Sequence, residues 1–321
     1  MWKRLWTTRW WVLLLSSFLL VSVTAELVLR FGLELGDPML YVKHPTIEYL
    51  PHPGRYARWG KHIFINRYGM RTREFSERKQ DPSELRVLCI GDSILFAGAQ
   101  TDQGELATHI LEGVLTQRLK RPTLVANVSA GSWGPANLSA YIDAYGIFDA
   151  DIVIVALNTQ DPEDIPTFGE LDADHPPSRP FSALGEALER RALPLLLARL
   201  ASTGPAATPD PSQRQAHLVQ SARALETIVN TARARGAAVA WVLHERQDEL
   251  GVSAGPNAQW IAQTAERLHV PLVTTRSELE PALARGVAPY RDELHLTPDG
   301  QLYLAVALEH AVHAVLRATP Q

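Results

Sequence analysis

From Arg86 onward the chain alternates short apolar runs of strand length with longer amphipathic runs of helical period, and this alternation constrains the fold more than any other feature. Apolar runs at 87–90, 123–128, 151–157, 237–243 and 271–275 read as five strands. Residues 105–119, 135–148, 182–200, 213–235, 257–268 and 298–317 read as helices, with Pro135 at a tolerated first-turn position and Gly236 closing the long fourth one. The third strand is apolar almost throughout, as a strand covered on both faces requires. The expected fold is therefore α/β: a three-layer α/β/α arrangement around a mostly parallel five-stranded sheet. Ligands of such sheets sit beyond the carboxyl ends of the strands.

That edge is where the chemistry-bearing residues fall. The first strand runs into a tight polar turn in Arg86-Val-Leu-Cys-Ile-Gly-Asp-Ser-Ile-Leu95, which lifts one hydroxyl, that of Ser93, out at the sheet edge. A serine there can also be a plain helix cap. Gly131 and Asn158 follow the ends of the second and third strands, and His244 ends the fourth. Near the C-terminus, Asp292 and His295 lie three residues apart in Asp-Glu-Leu-His. Acyl transfer needs an activated hydroxyl, a base oriented by a third group, and donors aimed at the oxyanion. Ser93, His295 and Asp292 can supply the hydroxyl, the base and the group that orients it. Backbone N–H groups of Ser93 and Gly131 and the side-chain amide of Asn158 are the candidate donors, and glycine at 131 lets the backbone approach a substrate closely. Trp133 reads either as a wall on which a sugar stacks or as core packing. His244 reads either as a substrate contact or as a structural histidine.

Taken together, four blocks resemble the SGNH (GDSL-type) hydrolase family: Gly91-Asp-Ser93, Asn127-Val-Ser-Ala-Gly131, Ala156-Leu-Asn158 and Asp292-Glu-Leu-His295. The resemblance covers residues 86–317 and implies ester chemistry through an acyl-enzyme on a flavodoxin-like topology. Three positions depart from the family's pattern: Ala156 stands before the asparagine, Thr159 after it, and Ile94 replaces the leucine of the motif's name. These bear on loop shape more than on chemistry. Leu95 excludes the Gly-x-Ser-x-Gly elbow of another hydrolase class.

The first thirty residues bear on location. Lys3, Arg4 and Arg9 precede an uncharged stretch over 10–25, and the apolar pattern continues past Glu26 to Phe31 and Leu33. Val23-Thr-Ala25 resembles the cleavage site of a signal peptide; the continuing apolar pattern favours an uncleaved anchor. In both readings the basic flank stays inside and the rest is exported, to the periplasmic side of a membrane. The chain is expected to divide into an N-terminal anchor or signal segment (1–33), a juxtamembrane extension (34–85) with a short strand near 61–66, and a hydrolase-like domain (86–321). The lone Cys89 reads as a small buried apolar residue.

A net charge of −4 with no basic cluster argues against a nucleic-acid partner. His44, His52 and His62 match no metal-site spacing, and no metal or organic cofactor is implied. The expected function is an exported serine esterase removing O-acyl groups from a carbohydrate, in a membrane-tethered chain of open oligomeric state. The same residues suit an O-acyltransferase if a sugar hydroxyl outcompetes water. An inactive binding scaffold is the reading from another class. Residues 161–181 and 202–212 read as loops, and as lids should the substrate be a lipid or thioester.

Overall fold

The computed structural model describes residues 2–193, 196–197 and 211–318. Five strands form one sheet: β5 (Leu85–Gly91), β6 (Thr123–Ser129), β7 (Ile152–Asn158), β8 (Ala238–His244) and β9 (Leu272–Thr274). Their order across the sheet is β6-β5-β7-β8-β9, and every pair is parallel. The sequence order 2-1-3-4-5 reverses at β5, so the carboxyl ends of β5, β6 and β7 flank one switch point.

Period-two alternation along each strand splits the core in two. Leu88, Ile90, Val153, Val155, Trp241 and Leu243 face one way and pack on the helices Pro135–Tyr145, Pro211–Ala234 and Pro256–Arg267. Val87, Cys89, Ile152, Ile154, Ala240 and Val242 face the other and pack on Ala107–Leu119 and Pro298–Ala318. Both faces are therefore dry, which is why these strands read as nearly unbroken apolar runs. Cys89 is fully buried in the second layer, and burial pushes its thiol well above the usual range.

Two antiparallel hairpins precede the sheet, β1 (Tyr41–His44) with β2 (Glu48–Pro51) and β3 (Gly54–Arg58) with β4 (Lys61–Ile65). Only the last was expected. Each of these strands is four or five residues long, and β1, β3 and β4 hide one face only, so Lys43, Arg55 and Lys61 interrupt any apolar run. Ile47 and Tyr49 nevertheless join the first core layer, and Tyr56, Ile63 and Ile65 enclose Phe96. Arg71 ties this region to the sheet edge. Its buried guanidinium donates to the carbonyls of Phe96 (2.5 Å), Gly98 (2.7 Å) and Thr101 (2.5 Å).

The helix Trp2–Leu27 continues as a π-helical turn, Val28–Gly32. Its stretch Arg9–Gly32 is long and apolar enough to cross a membrane, with mean hydropathy 2.3. Glu26 accepts from the backbone N–H groups of Ala183 (3.0 Å) and Leu184 (2.9 Å), which seats the end of this helix on the folded body. The helix expected over 182–200 begins as Ala183–Ala187 and widens into a π-turn, Leu188–Ala192. Most of its remainder, and the linker expected over 202–212 up to residue 210, lie outside the described residues; Ser212 already belongs to Pro211–Ala234.

Candidate active site

β5 ends at Gly91, where an added Cβ would stand 2.9 Å from the Ala156 carbonyl oxygen of β7. Only glycine allows that strand-to-strand approach. Asp92 then caps the four-residue helix Ser93–Phe96 by accepting from the Ile94 N–H at 2.9 Å. Ser93 is thus the first residue of a helix, half-buried, and its own N–H has no intrahelical partner.

The segment carrying His295 is folded back on itself. The Arg291 N–H donates to the His295 carbonyl at 2.9 Å, and the Thr297 N–H to the Pro289 carbonyl at 2.8 Å. Asp292 Oδ1 accepts from the N–H groups of Leu294 (2.9 Å) and His295 (2.7 Å), while its Oδ2 lies 2.9 Å from His295 Nδ1. His295 Nε2 lies 3.0 Å from Ser93 Oγ. Partial burial raises the Asp292 pKa, but the two backbone N–H groups and the imidazole outweigh it and hold the carboxyl below its usual range. An ionised Asp292 fixes the proton of His295 on Nδ1, so Nε2 presents its lone pair to the serine hydroxyl. Hydroxyl, imidazole and carboxylate stand in one line, although 202 residues separate the first two.

Gly131 shares the cavity with Ser93 and His295, a space of about 400 Å³. Its carbonyl accepts from the Tyr49 hydroxyl, which fixes the following peptide plane. Among the described residues its N–H has no hydrogen-bond partner. Asn127, on β6, donates to the Leu95 carbonyl at 3.0 Å and so couples the serine's helix to the strand that leads to Gly131.

One expected role changes, that of Asn158, and for Trp133 and His244 the structural alternative is the one observed. Asn158 is buried, and both hydrogens of its amide go to carboxylates, Asp92 Oδ2 at 2.5 Å and Asp161 Oδ1 at 2.7 Å. Its side chain acts as a clamp between two buried acids rather than as a free oxyanion donor. Burial raises both carboxyls above the usual range; repulsion from Asp92 adds to it at Asp161, and repulsion from Asp164 at Asp92. Trp133 is 1% exposed and packs between Tyr49 and Tyr141, so no sugar can stack on it. The indole at the cavity is that of Trp59, on the hairpin turn between β3 and β4.

His244 is 2% exposed and does not line the cavity that holds Ser93. Its Nε2–H donates to the Leu294 carbonyl at 2.9 Å, and its Nδ1 meets Thr275 Oγ1 at 3.1 Å, so it positions the segment that holds His295. Burial is the main cause that lowers its pKa from 6.5 to about 4; the bond to Leu294 opposes the shift and the nearby His295 adds to it. The native state thus declines a proton that the unfolded chain binds, and stability falls as pH drops from about 6.5 towards 4. For a fully buried group the loss by the lower limit is roughly 3 kcal/mol. His244→Gln keeps a donor for Leu294 and is expected to flatten this acid limb. The check is the difference between Tm at pH 7 and at pH 5 in the two proteins.

The sequence reading did not reach three features of this site. The cavity walls contributed by 37–63 come from hairpins too short to show a period, and Arg71 reads in isolation as one more surface cation. His175 was signalled by a second Asp-x-x-His, Asp172-Ala-Asp-His175, whose spacing repeats that of Asp292 and His295.

The GDSL-like Lipase/Acylhydrolase family matches residues 89–302. No curated protein matches the chain. Among solved structures, an α/β hydrolase from the metagenome of Lake Arreo, Spain, is 15% identical, with a TM-score of 0.45 over 72% of this chain and 96% of that one. An acetyl xylan esterase from Geobacillus stearothermophilus is 16% identical, with a TM-score of 0.44 over 71% of this chain and 94% of that one. A two-domain esterase active on acetylated mannans is 14% identical, with a TM-score of 0.44 over 74% of this chain and 51% of that one. Since the matched residues make up more than half of its length, the chain belongs to the GDSL-like lipase/acylhydrolase family and is a carboxylic ester hydrolase.

Proposed function

We propose that this protein is an exported, membrane-tethered serine esterase that removes O-acyl groups, acetyl foremost, from a carbohydrate. The observation that carries the reading is the hydrogen-bonded line from Ser93 through His295 to Asp292 at the cavity wall. Ser93 Oγ attacks the ester carbonyl carbon as its proton passes to His295 Nε2. The N–H groups of Ser93 and Gly131 receive the oxyanion. Collapse of the tetrahedral species breaks the bond to the alcohol, which leaves with the proton held by His295. Water then repeats the sequence on the acyl-enzyme and releases the acid.

The character of the cavity supports a polyhydroxylated substrate over a long acyl chain. Arg58, Gln100, Asp174 and Arg291 line it together with the half-buried indole of Trp59, a mix that hydrogen-bonds hydroxyls and stacks on a sugar face. The stretch Arg9–Gly32 would hold the enzyme at the membrane, with Glu26 joining that helix to the catalytic body. Acetate release from an acetylated oligosaccharide by the wild type, and none by Ser93→Ala, is the expected outcome. A wild type that leaves acetylated sugars intact while cleaving lipid or thioester substrates would overturn the carbohydrate assignment.

A further inference from the structure

The loop 161–181 brings a second Asp–His pair to the far side of Gly131. Asp172 Oδ1 accepts from the N–H groups of Asp174 and His175, both at 2.9 Å, and lies 3.0 Å from His175 Nδ1. The same turn, with the same residue spacing, holds Asp292 and His295. The His175 ring is wedged between Tyr41 and Tyr49, at centroid distances of 4.9 and 4.5 Å, so its orientation is fixed. A Cβ added to Gly131 would lie 3.4 Å from His175 Nε2, which places that nitrogen directly over the glycine beside Ser93. Ala173, Asp174 and Pro176, its neighbours in the chain, line the cavity that holds Ser93, while Asp172 and His175 themselves line a smaller one of about 170 Å³ on the other side of the 131–132 segment.

Tautomer logic says what this nitrogen does. The Asp172 carboxylate keeps the proton of a neutral His175 on Nδ1, so Nε2 carries a lone pair. Among the described residues no protein group donates to it. A lone pair repels an oxyanion and is satisfied only by a donor. In the free protein water can supply that donor; in a site whose substrate is an ester, a free hydroxyl of the alcohol replaces it.

We propose that the Asp172–His175 pair is a specificity element of the site, in which Nε2, held over Gly131, accepts a hydrogen bond from a free hydroxyl of a polyol ester. Asp172 is the positioning residue, and Gly131 is glycine partly because a side chain would fill the space the hydroxyl needs. The inference rests on the esterase reading above and adds the recognition of a hydroxyl next to the acylated one.

The test compares glycerol monoacetate with propyl acetate, which differ in the two hydroxyls of the alcohol. The wild type is expected to favour the former in kcat/KM. His175→Phe keeps the stacking on Tyr41 and Tyr49 but removes the lone pair. Asp172→Ala removes the acceptor that holds the proton on Nδ1 and so releases the tautomer. Each is expected to lower the ratio of the two kcat/KM values roughly tenfold. A wild type without preference, or a ratio unchanged in both variants, overturns the proposal while leaving the esterase reading in place. A wild type that cleaves neither ester removes the esterase reading, and this inference with it.

Discussion

Ser93→Ala is expected to lower kcat for ester hydrolysis about a millionfold, and His295→Ala by about as much, with the double variant no worse than either. On the proposed mechanism the two residues act as a unit: the hydroxyl attacks only while Nε2, 3.0 Å away, can take its proton. Asp292→Asn is expected to cost less, about ten-thousandfold, because it removes the tautomer lock but leaves an imidazole in place. The Asp292 side chain is half-exposed, so water can partly replace it. None of the three holds the core together, and all three variants are expected to keep a wild-type Tm within about 2 °C, since exposed or half-exposed polar groups contribute little to stability. Initial rates on an aryl acetate, with Tm beside them, check both statements.

The second large effect is expected from Gly300, in the first turn of the helix Pro298–Ala318. An added Cβ would stand 2.1 Å from the Pro289 carbonyl oxygen and 2.9 Å from Leu296 Cβ. In an isolated helix Gly→Ala gains about 1 kcal/mol. Here the gain is overwhelmed, because the obstructing atom is backbone and cannot rotate away. Pro289 and Leu296 bracket the segment with Asp292 and His295, so the strain is relieved by moving the dyad relative to Ser93. Gly300→Ala is expected to destabilise the protein by about 1–3 kcal/mol. A shift of roughly 1 Å at His295 would cost about a hundredfold in kcat. Gly113→Ala is the matched control: it lies on an exposed helix position with no atom within 4 Å of the new Cβ, and it is expected to raise Tm slightly. Thermal melts and kcat for both variants decide the matter.

The parallel sheet was legible because burial on both faces forces an apolar run, and such runs at β5, β6, β7 and β8 need no partner to be recognised. The convergence of Ser93, Asp292 and His295 was legible because each falls at a strand end or turn on the edge where such sheets gather their loops. The hairpins before the sheet were not. Three of their strands spend one face on solvent, β2 is only four residues long, and they pack on Trp133, Phe96 and His175, far along the chain. Side-chain direction was equally out of reach. Asn158 stands where expected along β7, yet the choice between oxyanion and carboxylate partners depends on Asp161, whose carboxylate folds back onto both its N–H and its amide. Trp133 follows Gly131 by two residues, but Ser132 between them has a positive φ of 56° and turns the indole into the core.

The most direct test of a serine activated by His295 is covalent labelling of the full chain in detergent with a fluorophosphonate, followed by mass spectrometry of the modified peptide. Labelling is expected on Ser93 alone, and is expected to vanish in Ser93→Ala and in His295→Ala while both variants keep the wild-type melting profile. A well-folded wild type that takes no label, or takes it on another residue, would contradict the assignment of Ser93 as the nucleophile.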